Sequence, residues 1–161
     1  NFELHQGRFV SMSPTGRRHG NLQSRISAAL QTQGEAKGHG EAFTETGVII
    51  ASSPDTVVGP DVAFVTKRKM PICESKEGYL QTIPELVVEI RSKNDSIAEL
   101  NQKVADYLQA GVQLAWIVDH ESNTVSEHRR GIEPLSRGLQ DTLQCDDIIP
   151  GFRLPLADLF K

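Results

Sequence analysis

Three residues of this sequence have types and spacing suited to phosphoryl chemistry: Asp61, Glu89 and Lys103. Glu89 interrupts the apolar run Leu86-Val87-Val88-Glu89-Ile90. A carboxylate inside such a run is costly to bury unless it is paired or bound to a metal. Asp61 opens a second short apolar run, PDVAFV at residues 60–65. Carboxylates at the strand ends of one sheet can converge on a hard cation such as Mg²⁺, which prefers oxygen ligands. Such a cation polarises a phosphoryl oxygen and lowers the pKa of a bound water. Lys103 follows the Glu89 run on a helical pattern and is spaced to reach back toward it, where an ammonium orients that water or neutralises charge developing on phosphate. Tyr107, four residues on, shares its helix edge, and Glu99 lies one turn earlier. Each residue also has a structural reading: Asp61 as a strand-start residue after proline, Glu89 paired with Arg91 on its own face, Lys103 as a solvated helix lysine.

The elements that must position these groups are legible from periodicity. In Leu86 to Arg91 alternate residues point to opposite faces, Leu86, Val88 and Ile90 on one and Val87, Glu89 and Arg91 on the other. Apolar residues on both faces predict an interior strand covered by helices. Residues 92–95 form a polar hinge, with Asn94, Asp95 or Ser96 able to cap a helix. In that helix Ile97, Leu100, Val104 and Leu108 form an apolar stripe that Gly111 ends. Leu114 to Asp119 reads as a second buried strand, with residues 123–129 its hairpin partner. Upstream, Phe2 to Met12 reads as a hairpin around Gln6-Gly7, and residues 13–16 as a break supplying capping hydroxyls. Residues 18–33 form a helix through Leu22, Ile26, Ala29 and Leu30, with Gly34 as its stop and His19 on or beside the inward stripe. Residues 41–51 are β-rich, 52–59 turn-like, and 66–82 a loop with a helical turn at 77–80. The strand–helix–strand unit within this order predicts an α/β fold, a mixed central β-sheet flanked by helices with an N-terminal β-hairpin, in one domain spanning 1–161.

The 161 residues are 38% hydrophobic and 24% charged, a balance suited to a globular protein with a real core. The longest apolar run, Leu114 to Val118, is far below the ~20 residues of a membrane helix, and no signal-like start is visible, so no membrane partner is expected. The chain opens at Asn1 rather than Met, so further native residues are expected before it. Net charge is −4, which does not by itself advertise nucleic-acid binding, although basic residues cluster at Arg17-Arg18, Lys67-Arg68-Lys69 and Arg129-Arg130. Cys73 and Cys145 have no CxxC spacing, which argues against zinc and for a reducing cytoplasm.

The segments PDVAFV at 60–65, PELVVEIRS at 84–92, the Lys103–Tyr107 pair and GVQLAWIVD at 111–119 together resemble the Uma2 family of endonucleases, abundant in cyanobacteria, with the PD-(D/E)XK restriction-endonuclease-like fold. The similarity extends to GRFVSMSPTGRRHG near the start and DDIIPGFRLPLADLF at the end, and so runs in order through nearly the whole chain. It implies that Asp61 and Glu89 are the metal-binding acids, with the Ile90 carbonyl as third protein ligand, and that Lys103 replaces the superfamily's catalytic lysine. Arg91 stands at that lysine's usual place, two after Glu89, and Lys93 in the hinge is the lesser substitute. His19 and Glu45 match recurrent positions that line the same cleft. The implied activity is Mg²⁺- or Mn²⁺-dependent endonucleolytic hydrolysis of DNA, with Tyr107 in support and a homodimer serving duplex cleavage. The rival expectation, motivated by the net charge and Arg91, is a catalytically silent nucleic-acid-binding or assembly module that keeps the nuclease fold; hydrolysis of a small phosphoester is a third.

Overall fold

The computed structural model describes residues 2–11, 14–70 and 78–161. Its strands are β1 (Phe2–His5), β2 (Arg8–Ser11), β3 (Gly40–Thr44), β4 (Val48–Ser52), β5 (Asp55–Val58), β6 (Val62–Thr66), β7 (Leu86–Ile90), β8 (Leu114–Asp119), β9 (Thr124–Arg129), β10 (Ile132–Arg137), β11 (Thr142–Leu143) and β12 (Leu154–Pro155). Its α-helices are α1 (Arg17–Leu30), α2 (Ile97–Ala110) and α3 (Leu156–Leu159).

The central sheet has six strands in the order β10-β9-β8-β7-β6-β3. Only β7 and β8, the strands joined through α2, run parallel; the other pairs are antiparallel, so the sheet is mixed as the pattern predicts. Every residue of β6 and β7 is buried. Leu86, Val88 and Ile90 join one core with Leu22, Ile26 and Leu30 of α1, Trp116, Phe152 and the α3 leucines. Val87 belongs to the opposite core, with Leu100, Val104 and Tyr107 of α2. The alternation that puts Glu89 on the α2 face is therefore present in the fold. A second sheet, β2-β1-β5-β4, contributes Val48 and Val58 to the α2 core.

The N-terminal hairpin forms as expected, with His5 opposite Arg8 and a two-residue turn in which Gln6 and Gly7 both have positive φ. That is the twist-compatible hairpin geometry glycine favours. Helix α2 begins with a reciprocal capping box, Ser96 Oγ accepting from the Glu99 amide while Glu99 Oε2 accepts from the Ser96 amide, so two otherwise unpaired donors of the first turn are satisfied. Glu99 is thus committed to the helix start rather than to Lys103. The buried stripe is Leu100, Val104 and Tyr107; Ile97 is exposed and Leu108 only half-buried, because the helix is rolled toward Tyr107.

Other expectations are corrected. Residues 52–59 are not simply a turn: β5 pairs with both β4 and β1, so Thr56 and Val58 are buried despite the polar local sequence. Residues 41–51 divide at Glu45–Gly47 into β3 and β4, which enter different sheets. The first turn of α1 has Gly16 at its cap and no side-chain cap; Ser13 lies outside the described residues. The helical turn expected at 77–80 begins outside them too, and Leu80 instead bridges Val48 as extended backbone. Cys73 also lies outside them, and Cys145 is buried as a free thiol.

Gly34 does not stop α1. The helix continues through a π-helical turn at Gln31–Glu35, and Gly34 is buried there because the Phe64 ring occupies its side-chain space. A Cβ at Gly34 would sit 2.7 Å from Phe64 Cε2. Gly34→Ala is therefore expected to lower stability by roughly 1–3 kcal/mol through overpacking. Gly20→Ala, where a Cβ meets nothing within 4 Å, is expected to leave stability unchanged or raise it by up to about 1 kcal/mol. Urea denaturation of the two variants checks the contrast.

Candidate functional site

Asp61 lies just before β6, and its two oxygens have different partners. Oδ1 is 2.9 Å from His19 Nε2 on α1, and Oδ2 accepts from the Ile90 amide at the end of β7 at 2.6 Å. The Asp61 carbonyl accepts from Gln23 Nε2 of α1 at 2.9 Å. Gln23 also donates to Glu45 Oε1 at 3.3 Å, so Glu45, in a positive-φ turn after β3, is exposed beside the Asp61 backbone.

Glu89 is the most constrained acid of the group, only 5% exposed. Tyr107 donates its hydroxyl to Oε1 at 2.6 Å, and the Lys103 ammonium lies 3.1 Å from both carboxylate oxygens. Lys103 and Tyr107 reach Glu89 together because a four-residue spacing stacks them on one edge of α2. The ammonium has a second acid, Glu3 of β1, at 2.9 Å. Glu3 Oε1 also accepts from the Gly59 amide at 2.8 Å, and its Oε2 is 2.9 Å from His5 Nε2.

The electrostatics reflect burial and one ammonium shared between two carboxylates. Burial pushes the Glu89 carboxyl up to about 7; Lys103 opposes the rise, the Asp61 charge adds to it, and the Tyr107 hydrogen bond counters it. Burial would lower Lys103, but Glu89 and Glu3 outweigh it and hold its pKa above the usual lysine value. Burial and the neighbouring Glu89 raise the Tyr107 phenol well above its ordinary range, so it acts as a donor. Glu3 is lowered: burial raises it, and Lys103, His5 and the Gly59 amide together outweigh burial. His19 is raised, since Asp61 outweighs a burial effect of opposite sign. His19 Nδ1 is buried without a hydrogen-bond partner among the described residues.

The structure thus brings together Asp61, Glu89, Ile90, Lys103, Tyr107 and His19, with Glu45 at the margin. Arg91 stands apart from Glu89. Its guanidinium pairs with Asp119 at 2.8 Å, which removes the structural alternative of a Glu89–Arg91 pair and leaves Lys103 as the cation at Glu89. Sequence reasoning missed Glu3. The available signal was an acid in the hairpin run FELH, placed by alternation on the same face as His5. Its Gly59 and Lys103 partners are 56 and 100 residues away, so no local pattern could name them. Of the basic clusters, Arg17, Arg18, Lys67, Arg68 and Arg130 are exposed, whereas Arg129 is paired with Asp147. Among the described residues no helix is long and apolar enough to cross a membrane, and no group of three or more His, Cys, Asp and Glu side chains is arranged to hold a metal ion.

The sequence matches the Uma2 family, described as "Putative restriction endonuclease", over residues 1–157. Among solved structures it is similar to a protein from Anabaena variabilis described as "a putative nuclease belonging to DUF820", with 19% identity, a TM-score of 0.87, and coverage of 99% of this chain and 89% of that one. At that identity the likeness is one of fold, and it includes the mixed sheet with flanking helices. Among curated proteins none matches.

The raised Glu89 carboxyl makes a prediction about stability. Between the ordinary value of 4.5 and about 7 the folded protein keeps a proton that the unfolded chain has released. Stability is therefore lost as pH rises through that window, by up to about 3 kcal/mol. Glu89→Gln, neutral throughout, should flatten that part of the profile. Urea denaturation from pH 4.5 to 8 without added metal checks it, and parallel wild-type and Glu89→Gln curves would contradict it.

Proposed function

This chain belongs to the Uma2 family, and on that premise we propose that it is a metal-dependent endonuclease that hydrolyses phosphodiester bonds of DNA, with Mg²⁺ or Mn²⁺ as cofactor. The observation that carries the reading is Glu89, buried on the sheet, held by Tyr107 and Lys103, and joined to Asp61 through the amide of the next residue.

The residues fit a hard divalent ion in chemistry and charge. Asp61 and Glu89 offer carboxylate oxygens, each with lone-pair capacity beyond the hydrogen bonds it accepts. Glu3 and Glu89 share a single lysine, and a divalent cation beside them would offset negative charge that the lysine alone does not balance. Asp61 and Glu89 would hold the ion, with the Ile90 carbonyl as third ligand. A carbonyl lies outside the side-chain types of a His, Cys, Asp and Glu cluster, so the lack of a three-member cluster among the described residues is compatible with this set. When bound, such an ion polarises a phosphoryl oxygen and supplies a reactive water at neutral pH.

The chain's own groups supply position and charge. His19 and the Ile90 amide fix the Asp61 carboxylate, and Tyr107 fixes that of Glu89. The Lys103 ammonium is positioned to orient the attacking water or stabilise charge developing on the phosphate. The exposed Arg17, Arg18, Lys67 and Arg68 are available for phosphate contacts that offset the net charge of −4. The reading includes a second copy of the chain for cutting both strands, and the cytoplasm as the compartment.

The test is nicking of supercoiled plasmid DNA in Mn²⁺ or Mg²⁺, with calorimetric metal titration in the same buffers. Wild type is expected to bind metal and nick, and Glu89→Ala to lose both. Lys103→Ala is expected to be less stable, because Glu3 and Glu89 lose their shared cation, and, compared at equal folded fraction, to lose about 10²–10³-fold in rate, the scale of removing one charge-stabilising donor. Metal binding without nicking would move the substrate away from DNA. A folded wild type that binds no metal would favour the silent module.

A further inference from the structure

The N-terminal hairpin contributes a buried acid, Glu3, that the nuclease reading leaves without a task. Glu3 is 7% exposed, although its neighbours Phe2 and Phe9 are 70% and 80% exposed. The hairpin therefore turns its apolar rings to solvent and its acid inward, the reverse of what burial energetics alone would select. Such an inversion is sustained only if the buried carboxylate is fully partnered, and it is. Oε1 accepts from both Lys103 Nζ at 2.9 Å and the Gly59 amide at 2.8 Å, while Oε2 is 2.9 Å from His5 Nε2.

These partners link the two halves of the site. Lys103 belongs to α2 and touches Glu89; Gly59 begins the Gly59-Pro60-Asp61 segment that leads from β5 to Asp61. A single oxygen atom on β1 thus ties the lysine of one half to the backbone of the other. A lysine side chain has large rotamer freedom, and a site that needs its ammonium at one point requires a second anchor. Glu89 alone would be a poor anchor, because it is also the acid expected to engage the metal.

We propose that Glu3 is a positioning residue of the catalytic centre, its Oε1 fixing the Lys103 ammonium beside Glu89 and, through the Gly59 amide, fixing the segment that leads to Asp61. The role rests on the nuclease reading for its catalytic consequence, but the hold on Lys103 does not. The N-terminal hairpin is accordingly part of the active site rather than an appendage to it.

Two variants separate the contributions. Glu3→Gln keeps an oxygen of the same reach for the Gly59 amide and removes the charge facing Lys103. Glu3→Asp keeps the charge and shortens the reach by one methylene. Circular dichroism and urea denaturation establish folding, and Lys103 is then followed by amine acylation with mass-spectrometric readout, using the exposed Lys161 as internal reference. In both variants the Lys103:Lys161 labelling ratio is expected to rise about tenfold, as the charge-assisted hold on one side of the ammonium is weakened. In the nicking assay kcat is expected to fall by up to about 10²-fold, the cost of misplacing a catalytic group by roughly 1 Å, with KM for DNA within about twofold of wild type. An unchanged labelling ratio in both folded variants would overturn the proposal, whatever the activity. So would a raised ratio with kcat at the wild-type value. A wild type that does not nick would overturn the nuclease reading instead, and the labelling ratio would still decide whether Glu3 holds Lys103.

Discussion

Burying the Glu89 carboxylate in the middle of a hydrophobic sheet is the constraint on which the rest of this structure turns. An unpaired charge there would be prohibitive. The fold meets that cost with groups from distant parts of the chain: a phenol and an ammonium from α2, and a second carboxylate from β1 that shares the ammonium. Because one lysine faces two acids, the pairing is incomplete in charge even though it is complete in hydrogen bonds.

The arrangement explains why α2 is built as it is. A capping box fixes where the helix starts, and Gly111 in the left-handed region fixes where it ends. Between them Leu100, Val104 and Tyr107 lock its roll against the sheet, so the Lys103 edge has one orientation. On the opposite face of the sheet α1 does the same for Asp61, through His19 and Gln23. The two acids are therefore held by helices on the two sides of a single sheet, and Asp61 reaches the end of β7 through the Ile90 amide, one residue after Glu89.

Much of this was legible in the sequence because it is local. Period-2 alternation placed Glu89 on the face opposite Leu86, Val88 and Ile90, and the four-residue spacing placed Lys103 and Tyr107 together. What was not legible depends on long-range packing. The stop assigned to Gly34 failed because Phe64, distant in sequence, makes glycine necessary inside a continuing helix. The polar stretch at 52–59 conceals β5, whose strand character comes from pairing with β1 and β4. Arg91 shares the Glu89 face by parity, yet it turns to Asp119 at the end of the neighbouring strand. Glu3 had a visible anomaly, an acid in a hairpin run, but its meaning lies in partners that only the tertiary fold supplies.

The central claim is that Asp61 and Glu89 form one cation site. The most direct measurement is anomalous diffraction from crystals of the protein grown with Mn²⁺. The expected result is a manganese peak bound by carboxylate oxygens of both Asp61 and Glu89. A peak touching neither, or no peak with wild-type protein at saturating Mn²⁺, would contradict that claim and leave the buried acids as structural pairs of a silent fold.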